Sequence, residues 1–393
     1  MKDYNKKKCC ACGGCSSVCP KKAITLKEND EGFKYPIVDK EKCIECGLCE
    51  KVCNYKNPQN INETQMAFAV VNKNNGMLLS SSSGGAFSAI ATEILKKRGI
   101  VYGSRLYLNS LIVKHCRITK LEELNYILGS KYVQSDISEI LPMVKDDVLK
   151  GEVVLFSGTP CQVDALNGYL GNKEYSNLIT IEVICHGVPS VKMFADYISM
   201  VEKQENARVV DFSFRNKRRS PWKTLRGEIF IEKKGKKKGK LLSPILSSYY
   251  NMFLRGEIFR ENCYECPYAK KERCSDITIG DYWGIEKNDS IHIDLEKGVS
   301  CLLINTNKAK DFVSRLHPDW YLIDADYEDI AMNNKQLSQP TKRNANRDKI
   351  INIYAQNGYE AVERAFNRSL GIKRYVYKIW ERMPNTMKKM LKR

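Results

Sequence analysis

Two cysteine runs carry the most specific chemistry in this sequence. Cys9-x2-Cys12-x2-Cys15-x3-Cys19-Pro20 recurs thirty-four residues later as Cys43-x2-Cys46-x2-Cys49-x3-Cys53. Three thiolates on one tight loop can take three corners of a cubane, while the fourth cysteine of each run reaches the other cluster. The spacing therefore assigns one 4Fe-4S cluster to Cys9, Cys12, Cys15 and Cys53, and a second to Cys43, Cys46, Cys49 and Cys19. Zinc knuckles would use two pairs of ligands and leave the triple runs unexplained. Asn54 stands after the second run where Pro20 stands after the first, a departure that leaves the ligand set unchanged.

Of the sixteen cysteines, eight remain: Cys10, Cys116, Cys161, Cys185, Cys263, Cys266, Cys274 and Cys301. Cys161 lies on a strand-to-helix loop, Cys185 ends an apolar run in Cys185-His186-Gly187, and Cys263-x2-Cys266-Pro267 is a chelating pair. Cys116 and Cys301 sit inside apolar runs and read as core. Cys10 reads as a spectator, and Cys266-x7-Cys274 leaves Cys274 open between metal and packing. Two loops are suited to an anion. Ser80-Ser81-Ser82-Ser83-Gly84-Gly85 precedes an amphipathic helix, and Ser157-Gly158-Thr159-Pro160-Cys161-Gln162 follows an apolar strand and opens another helix. Taken alone, such a loop is equally an ordinary helix N-cap. His186, one of four histidines, either donates a proton or hydrogen-bonds its own loop. Asp281 in Gly280-Asp281-Tyr282-Trp283 reads as the partner of a backbone turn rather than of a ring.

The elements that must position these groups follow from periodicity. Residues 1–57 are cysteine-dense and end in the polar linker Pro58 to Glu63. Beyond it, apolar runs at Met66 to Val71, Ile100 to Tyr107, Leu111 to Ile118, Val153 to Phe156 and Leu178 to Ile184 read as strands. They alternate with helices over Gly84 to Arg98 and from near Cys161 and Ser190. Val209 to Phe214 and Thr224 to Glu232 read as antiparallel strands, with Lys233 to Lys240 as an exposed loop or hairpin end. After Asn307 the pattern is helical and basic. The expected fold is α+β: a small ferredoxin-like domain over 1–57, an α/β domain in two parts over 65–150 and 151–330, an antiparallel extension, and a basic helical tail over 331–393. Because one-electron clusters usually serve an organic two-electron centre and two anion-suited loops lie in the α/β domain, that domain is expected to bind a flavin.

With 43% hydrophobic and 28% charged residues, the 393-residue chain has too many apolar side chains for disorder. No apolar stretch reaches the roughly 18 to 20 residues of a membrane span, and Met1-Lys2-Asp3 does not open a signal peptide. The expectation is a cytoplasmic protein, where this many cysteines imply metal or redox chemistry rather than disulfides. The net charge of +18 is local: residues 215–240 carry a surplus of ten and residues 368–393 a surplus of eight. Arg218, Arg219 and Trp222 in the first segment could meet phosphate and base, but charge runs are mostly solvated loops and a lysine cluster reads no base sequence, so nucleic acid is not the expected partner. In the second, Ile372, Tyr375, Ile379, Trp380 and Met383 recur at helical spacing among basic residues, ending before Pro384, with a further short turn over Met387 to Arg393. That pattern suits an anionic bilayer, a partner's acidic groove, or docking on the protein's own core.

The N-terminal module resembles bacterial two-cluster ferredoxins. S-S-S-G-G-A-F-S-A-I, G-S-K-Y-V-Q-S-D at Gly129 to Asp136, F-S-G-T-P-C-Q-V at Phe156 to Val163, C-H-G-V-P-S at Cys185 to Ser190 and S-D-I-T-I-G-D-Y-W-G at Ser275 to Gly284 resemble the beta subunit of deazaflavin-coenzyme (F420) hydrogenases and dehydrogenases, over about residues 1 to 330. The resemblance implies FAD and a third 4Fe-4S cluster, held by Cys161, Cys185, Cys263 and Cys266. It implies Ser82, Ser83, Gly84 and Gly85 at the FAD phosphates, Lys131 and Gln134 near the flavin, and Thr159 bordering it. The implied reaction is hydride exchange with an 8-hydroxy-5-deazaflavin; a plant relative reduces a chlorophyll derivative, and the exopolysaccharide setting of bacterial relatives points to a glycan precursor. The expected function is an iron–sulfur flavoprotein oxidoreductase with a redox partner protein or ferredoxin and a small two-electron substrate, with His186 as a proton donor. The alternative is a non-catalytic electron-transfer subunit of a larger complex.

Overall fold

The computed structural model describes residues 5–56, 61–287, 295–316 and 318–383. The cysteine-rich module is built on an antiparallel hairpin, β1 (Ile24–Glu28) and β2 (Lys34–Val38). Each cysteine run wraps a single-turn helix, Gly14–Ser17 or Leu48–Lys51. Gly13 and Gly47 open these turns at φ +80° and +73°, the left-handed region that a side chain resists. The chain can thereby reverse tightly enough to bring thiols two residues apart onto one surface.

Beyond the linker, whose residues 57–60 lie outside the described residues, come β3 (Met66–Asn72), β4 (Ile100–Tyr107), β5 (Ile112–Ile118), β6 (Val154–Gly158) and β7 (Leu178–Val183). They are followed by β8 (Arg208–Ser213), β9 (Gly227–Lys233), β10 (Lys236–Leu242), β11 (Ile277–Asp281), β12 (Ser300–Ile304) and β13 (Trp320–Asp324). Among the described residues β8 to β10 form a three-stranded antiparallel sheet. The lysine run expected as a loop is mostly strand β10, closed on β9 by a turn at Lys234 and Gly235, both at positive φ. The other eight form one mixed sheet in the order β13-β3-β12-β11-β7-β6-β4-β5. The segments 65–150 and 151–330 thus interleave in a single sheet, and β13 adds an edge strand where only helix was expected.

Strand alternation buries both faces of this sheet. Leu155 of β6 packs with helix Ala86–Lys96, while its neighbours Val154 and Phe156 pack on the other face with helices Ile140–Leu149 and Pro160–Tyr169. β4, β6, β7 and β11 run parallel. β3 runs the same way as β11, because two antiparallel pairings through β12 separate them. The loops after β3, β6, β7 and β11 therefore leave at one edge, where α/β sheets bind ligands. Much of the segment expected as a tail is core: helix Arg347–Leu370 buries Ile351, Tyr354, Tyr359 and Val362 against helices Val191–Glu205 and Ser248–Leu254.

The cysteine module is docked on that edge. Arg260, fully buried, donates from Nε to the Cys9 carbonyl (3.0 Å) and from Nη1 to Gln134 Oε1 (3.2 Å), and also bonds the Lys34 carbonyl. Its guanidinium lies 4.2 Å from the Tyr35 ring centroid. Asn54 Nδ2 donates to the Asp164 carboxylate (2.9 Å) and to Asn172 Oδ1 (2.7 Å). Each such charge-assisted bond made in the dry interior contributes about 1.5–3 kcal/mol, and an orphaned acceptor costs a comparable amount. Arg260→Ala should lower unfolding stability by about 2–4 kcal/mol and raise proteolytic cleavage at residues 57–60, whereas a surface substitution such as Lys120→Ala should change neither; urea titration with proteolysis checks both.

Candidate redox site

The geometry of the cysteines is set by two strand ends and a short 3-10 helix. Cys161 lies in the first turn of helix Pro160–Tyr169, after β6, 3.2 Å from Thr159 Oγ1. Cys185 follows β7, and Cys263 lies in the short 3-10 helix Glu261–Glu265 next to Arg260, with Cys266 just after it. Burial, with the Cys263, Cys161 and Cys266 thiols around it, pushes the Cys185 thiol pKa well up. The four side chains therefore come together. Cys12, Cys161 and Cys266 pack against one apolar cluster, and Cys9 and Cys263 against another, so the first cysteine run abuts this group. Cys10, expected as a spectator, hydrogen-bonds both Cys12 and Cys161. The second run faces outward, with Cys46 exposed.

Among the described residues no three Cys, His, Asp or Glu side chains are arranged around a point for one metal ion. A cubane makes a different demand, since each thiolate takes a separate corner. Cys274, open on sequence grounds, is buried in the apolar cluster against which Cys161 and Cys266 pack, and its thiol is spent there: it donates to Glu182 Oε2 (3.2 Å) and the Pro160 carbonyl (3.3 Å). Glu182 is neutralised by the equally buried Arg273. Cys301 is buried in β12 and Cys116 half-buried in β5.

The serine-glycine loop follows β3 at the same edge. Gly84 has no room for a side chain: a Cβ would lie 2.0 Å from the Val70 carbonyl and 2.4 Å from Ser300 N. Ser83 Oγ donates to the Val299 carbonyl (2.6 Å), and Ser82 Oγ accepts from Ser130 N (2.6 Å). Helix Ala86–Lys96 starts at Gly85 without a side-chain cap, so its first-turn N–H groups face the loop. The basic residues here come from far along the chain. Lys217 Nζ donates to the Ser83 and Lys297 carbonyls, and Arg218 Nη2 to Ser80 Oγ (3.1 Å). Burial, with Arg215 beside it, pushes the Lys217 pKa down to about 7. Sequence reasoning missed Lys217 because it sits in a charge run, and it read Arg218 only toward nucleic-acid phosphate; the apolar Phe212, Phe214 and Trp222 on either side of the run were the available signal. The Ser157–Gln162 loop is closed on itself: the Thr159 and Gln162 side chains cap the helix reciprocally.

Asp281, at the end of β11, accepts from Trp222 Nε1 (2.7 Å) and Arg215 Nη1 (3.1 Å). It therefore holds a ring, contrary to the turn expected. Trp222 is buried and stacks on Trp283 at 4.7 Å, which removes it from any nucleic-acid surface. His186 is exposed, its carbonyl accepting from Thr341 Oγ1 (2.6 Å). Gln134 spends its amide on the Cys10 carbonyl (2.8 Å) and on Arg260, tying the module down. Lys131 Nζ donates to the Leu128 and Gly129 carbonyls, and burial pushes its pKa down to about 7. A cavity of about 160 Å³ at the seam between module and β5, lined by Lys34, His115, Gln134 and Asp136, is smaller than a cofactor site.

Residues 151–329 match the family described as the C terminus of the coenzyme F420 hydrogenase/dehydrogenase beta subunit, and residues 8–57 match the 4Fe-4S dicluster domain. A chain of the F420-reducing [NiFe] hydrogenase complex from Methanosarcina barkeri, solved as a xenon derivative, is similar at 13% identity with a TM-score of 0.42, over 80% of this chain and 96% of that one. No curated protein matches the chain. The protein is thus of the iron–sulfur electron-transfer class. Its cysteine module is similar to 4Fe-4S dicluster domains, and residues 151–329 are similar to the C terminus of the coenzyme F420 hydrogenase/dehydrogenase beta subunit.

His115, on β5, is held between Ser135 Oγ (2.7 Å at Nδ1) and the Ser157 carbonyl (2.8 Å at Nε2), which accommodates the neutral ring. Burial pushes its pKa down to about 4. Between pH 6.5 and about 4 the unfolded chain takes up a proton that the folded ring refuses, so stability falls as pH falls through that window. The loss should reach on the order of 3 kcal/mol, and in His115→Gln the slope of unfolding free energy against pH over this range should flatten relative to the parent protein.

Proposed function

We propose that this chain is an FAD-dependent iron–sulfur oxidoreductase that passes electrons between a redox partner protein or ferredoxin and a small two-electron substrate. In this reading Cys9, Cys12, Cys15 and Cys53 hold one 4Fe-4S cluster, Cys43, Cys46, Cys49 and Cys19 a second, and Cys161, Cys185, Cys263 and Cys266 a third. The observation that carries it is the meeting of these last four thiols at one sheet edge with Cys9 and Cys12 packed beside them. The residues also fit a dinucleotide: the uncapped helix start at Gly85, and Lys217 and Arg218 on the serine loop, offer N–H groups and positive charge to a pyrophosphate. When bound, the clusters supply single-electron transfer and the flavin two-electron hydride chemistry.

The chain's own groups have separable tasks. Asp281 and Arg215 hold the Trp222–Trp283 stack, which keeps Lys217 against the serine loop. Ser82, Ser83, Gly84 and Gly85 shape that loop, and Thr159 and Gln134 hold the Cys161 loop and the module in place. Lys131 Nζ, with a pKa near neutrality, can hold or release a proton. His186, exposed on the loop after β7, would be the proton donor in this reading. The substrate in this reading is a deazaflavin coenzyme or an unidentified two-electron compound, a precursor of polysaccharide synthesis being one candidate, and the expected setting is cytoplasmic, with peripheral contact to an anionic membrane through the basic C-terminal helix.

Anaerobically purified protein should contain about twelve iron and twelve acid-labile sulfide per chain, with one extractable FAD; zinc, or about eight iron without flavin, would refute this reading. Cys263→Ser should remove about four of those iron atoms, while Cys274→Ser should leave the iron content unchanged.

A further inference from the structure

We infer that helix Lys373–Arg382 is a docking face for an anionic lipid bilayer, because it rests on the protein by its polar side and turns its apolar side to solvent. Ile372, Tyr375, Val376 and Ile379 are 82%, 66%, 59% and 59% exposed. Their spacing of three, one and three residues puts all four on one helical face. Arg374, Tyr377 and Glu381 occupy the opposite face and, with Trp380 at its edge, are half-buried. Glu381 accepts from Arg226 Nη2 at 3.0 Å, just before β9. A helix that belongs to a core does the reverse and buries its apolar stripe. The preceding helix Arg347–Leu370 does so with Ile351, Tyr354, Tyr359 and Val362.

The charge around the stripe selects the occupant. Lys373 and Lys378 are exposed and flank the apolar face on its two sides, where long side chains can keep their ammonium groups at the level of anionic headgroups while the stripe enters the acyl boundary. Tyr375 on the stripe and Trp380 at its margin are residue types that favour a membrane interface. The sequence from 368 to 393 carries a surplus of eight positive charges, which attracts it to an anionic surface. Pairing two copies through the same stripe would instead bring two cationic rims together. Among the described residues no helix is long and apolar enough to cross a membrane, so the contact is one of lying on the surface. The inference rests on the membrane contact included in the proposed function and gives it a surface; it is separate from the redox chemistry, since none of these residues belongs to the cysteine or serine-loop sites.

The test is co-sedimentation of the full-length, cluster-loaded protein with phosphatidylcholine vesicles with and without phosphatidylglycerol, beside light scattering of the lipid-free protein. Binding is expected to the anionic vesicles only and to weaken with added salt. The double variant Ile372→Glu, Ile379→Glu should bind at least about tenfold more weakly, and Lys373→Glu with Lys378→Glu should also lose binding, with iron content unchanged in both. The inference is overturned if the protein fails to sediment with anionic vesicles, or if the isoleucine variant binds like the parent. It is equally overturned if the lipid-free protein is a dimer that the isoleucine variant dissociates, since the stripe is then an interface between copies.

Discussion

A buried guanidinium holds this architecture together. Arg260 lies between the cysteine module and the main sheet, and its hydrogen bonds to Cys9, Lys34 and Gln134 satisfy a charge that would otherwise be expensive to remove from water. The planar fork reaches three acceptors in different directions while its face covers Tyr35, which a lysine ammonium cannot do. Everything proposed for electron passage depends on this seam, because it presses the first cysteine run against Cys161 and Cys263. Arg260 also stands three residues before Cys263, whose N–H bonds the Arg260 carbonyl, so the residue that docks the module also positions Cys263.

The sheet edge supplies the second constraint. Parallel strands deliver their carboxyl ends to one side, and β3 joins them only because β12 reverses direction between it and β11. Loops distant in sequence are thus concentrated in one place: Ser80–Gly85, Thr159–Cys161, Cys185–His186 and Asp281–Trp283. The basic segment from β8 is drawn to the same place by Asp281, whose carboxylate is shared between Arg215 and Trp222. Positive charge that would be a solvated loop elsewhere becomes part of the lining. Burial then makes Lys217 and Lys131 unusual lysines, both pushed down to about 7, because desolvation disfavours the ammonium form.

Much was legible in the sequence, for local reasons. The doubled cysteine spacing, the strands β3 to β9 and the helices starting at Ala86, Pro160 and Val191 follow from period and turn chemistry alone, since they depend on neighbours within a few residues; helix Ile140–Leu149 was not among them. The resemblance to the beta-subunit family rests on short motifs of the same kind, each a loop at a strand end. The basic amphipathic pattern after residue 368 was equally plain, but the side of that helix facing the protein was not: periodicity defines two faces and is silent on which one is buried.

Tertiary structure decided what depends on distant partners. Cys10 could be read only as a neighbour of Cys9 until the fold brought Cys161 to it from 151 residues away. Cys274 and Cys266 looked alike as thiols, and only the Glu182–Arg273 pair shows that Cys274 points into the core. Arg215, Lys217 and Arg218 belong to a charge run by composition and to the serine loop by position. The interleaving of segments 65–150 and 151–330, and the late edge strand β13, are likewise invisible to periodicity. Local patterns report the energy of a residue with its sequence neighbours, whereas burial and long-range pairing depend on which surfaces the sheet finally brings together.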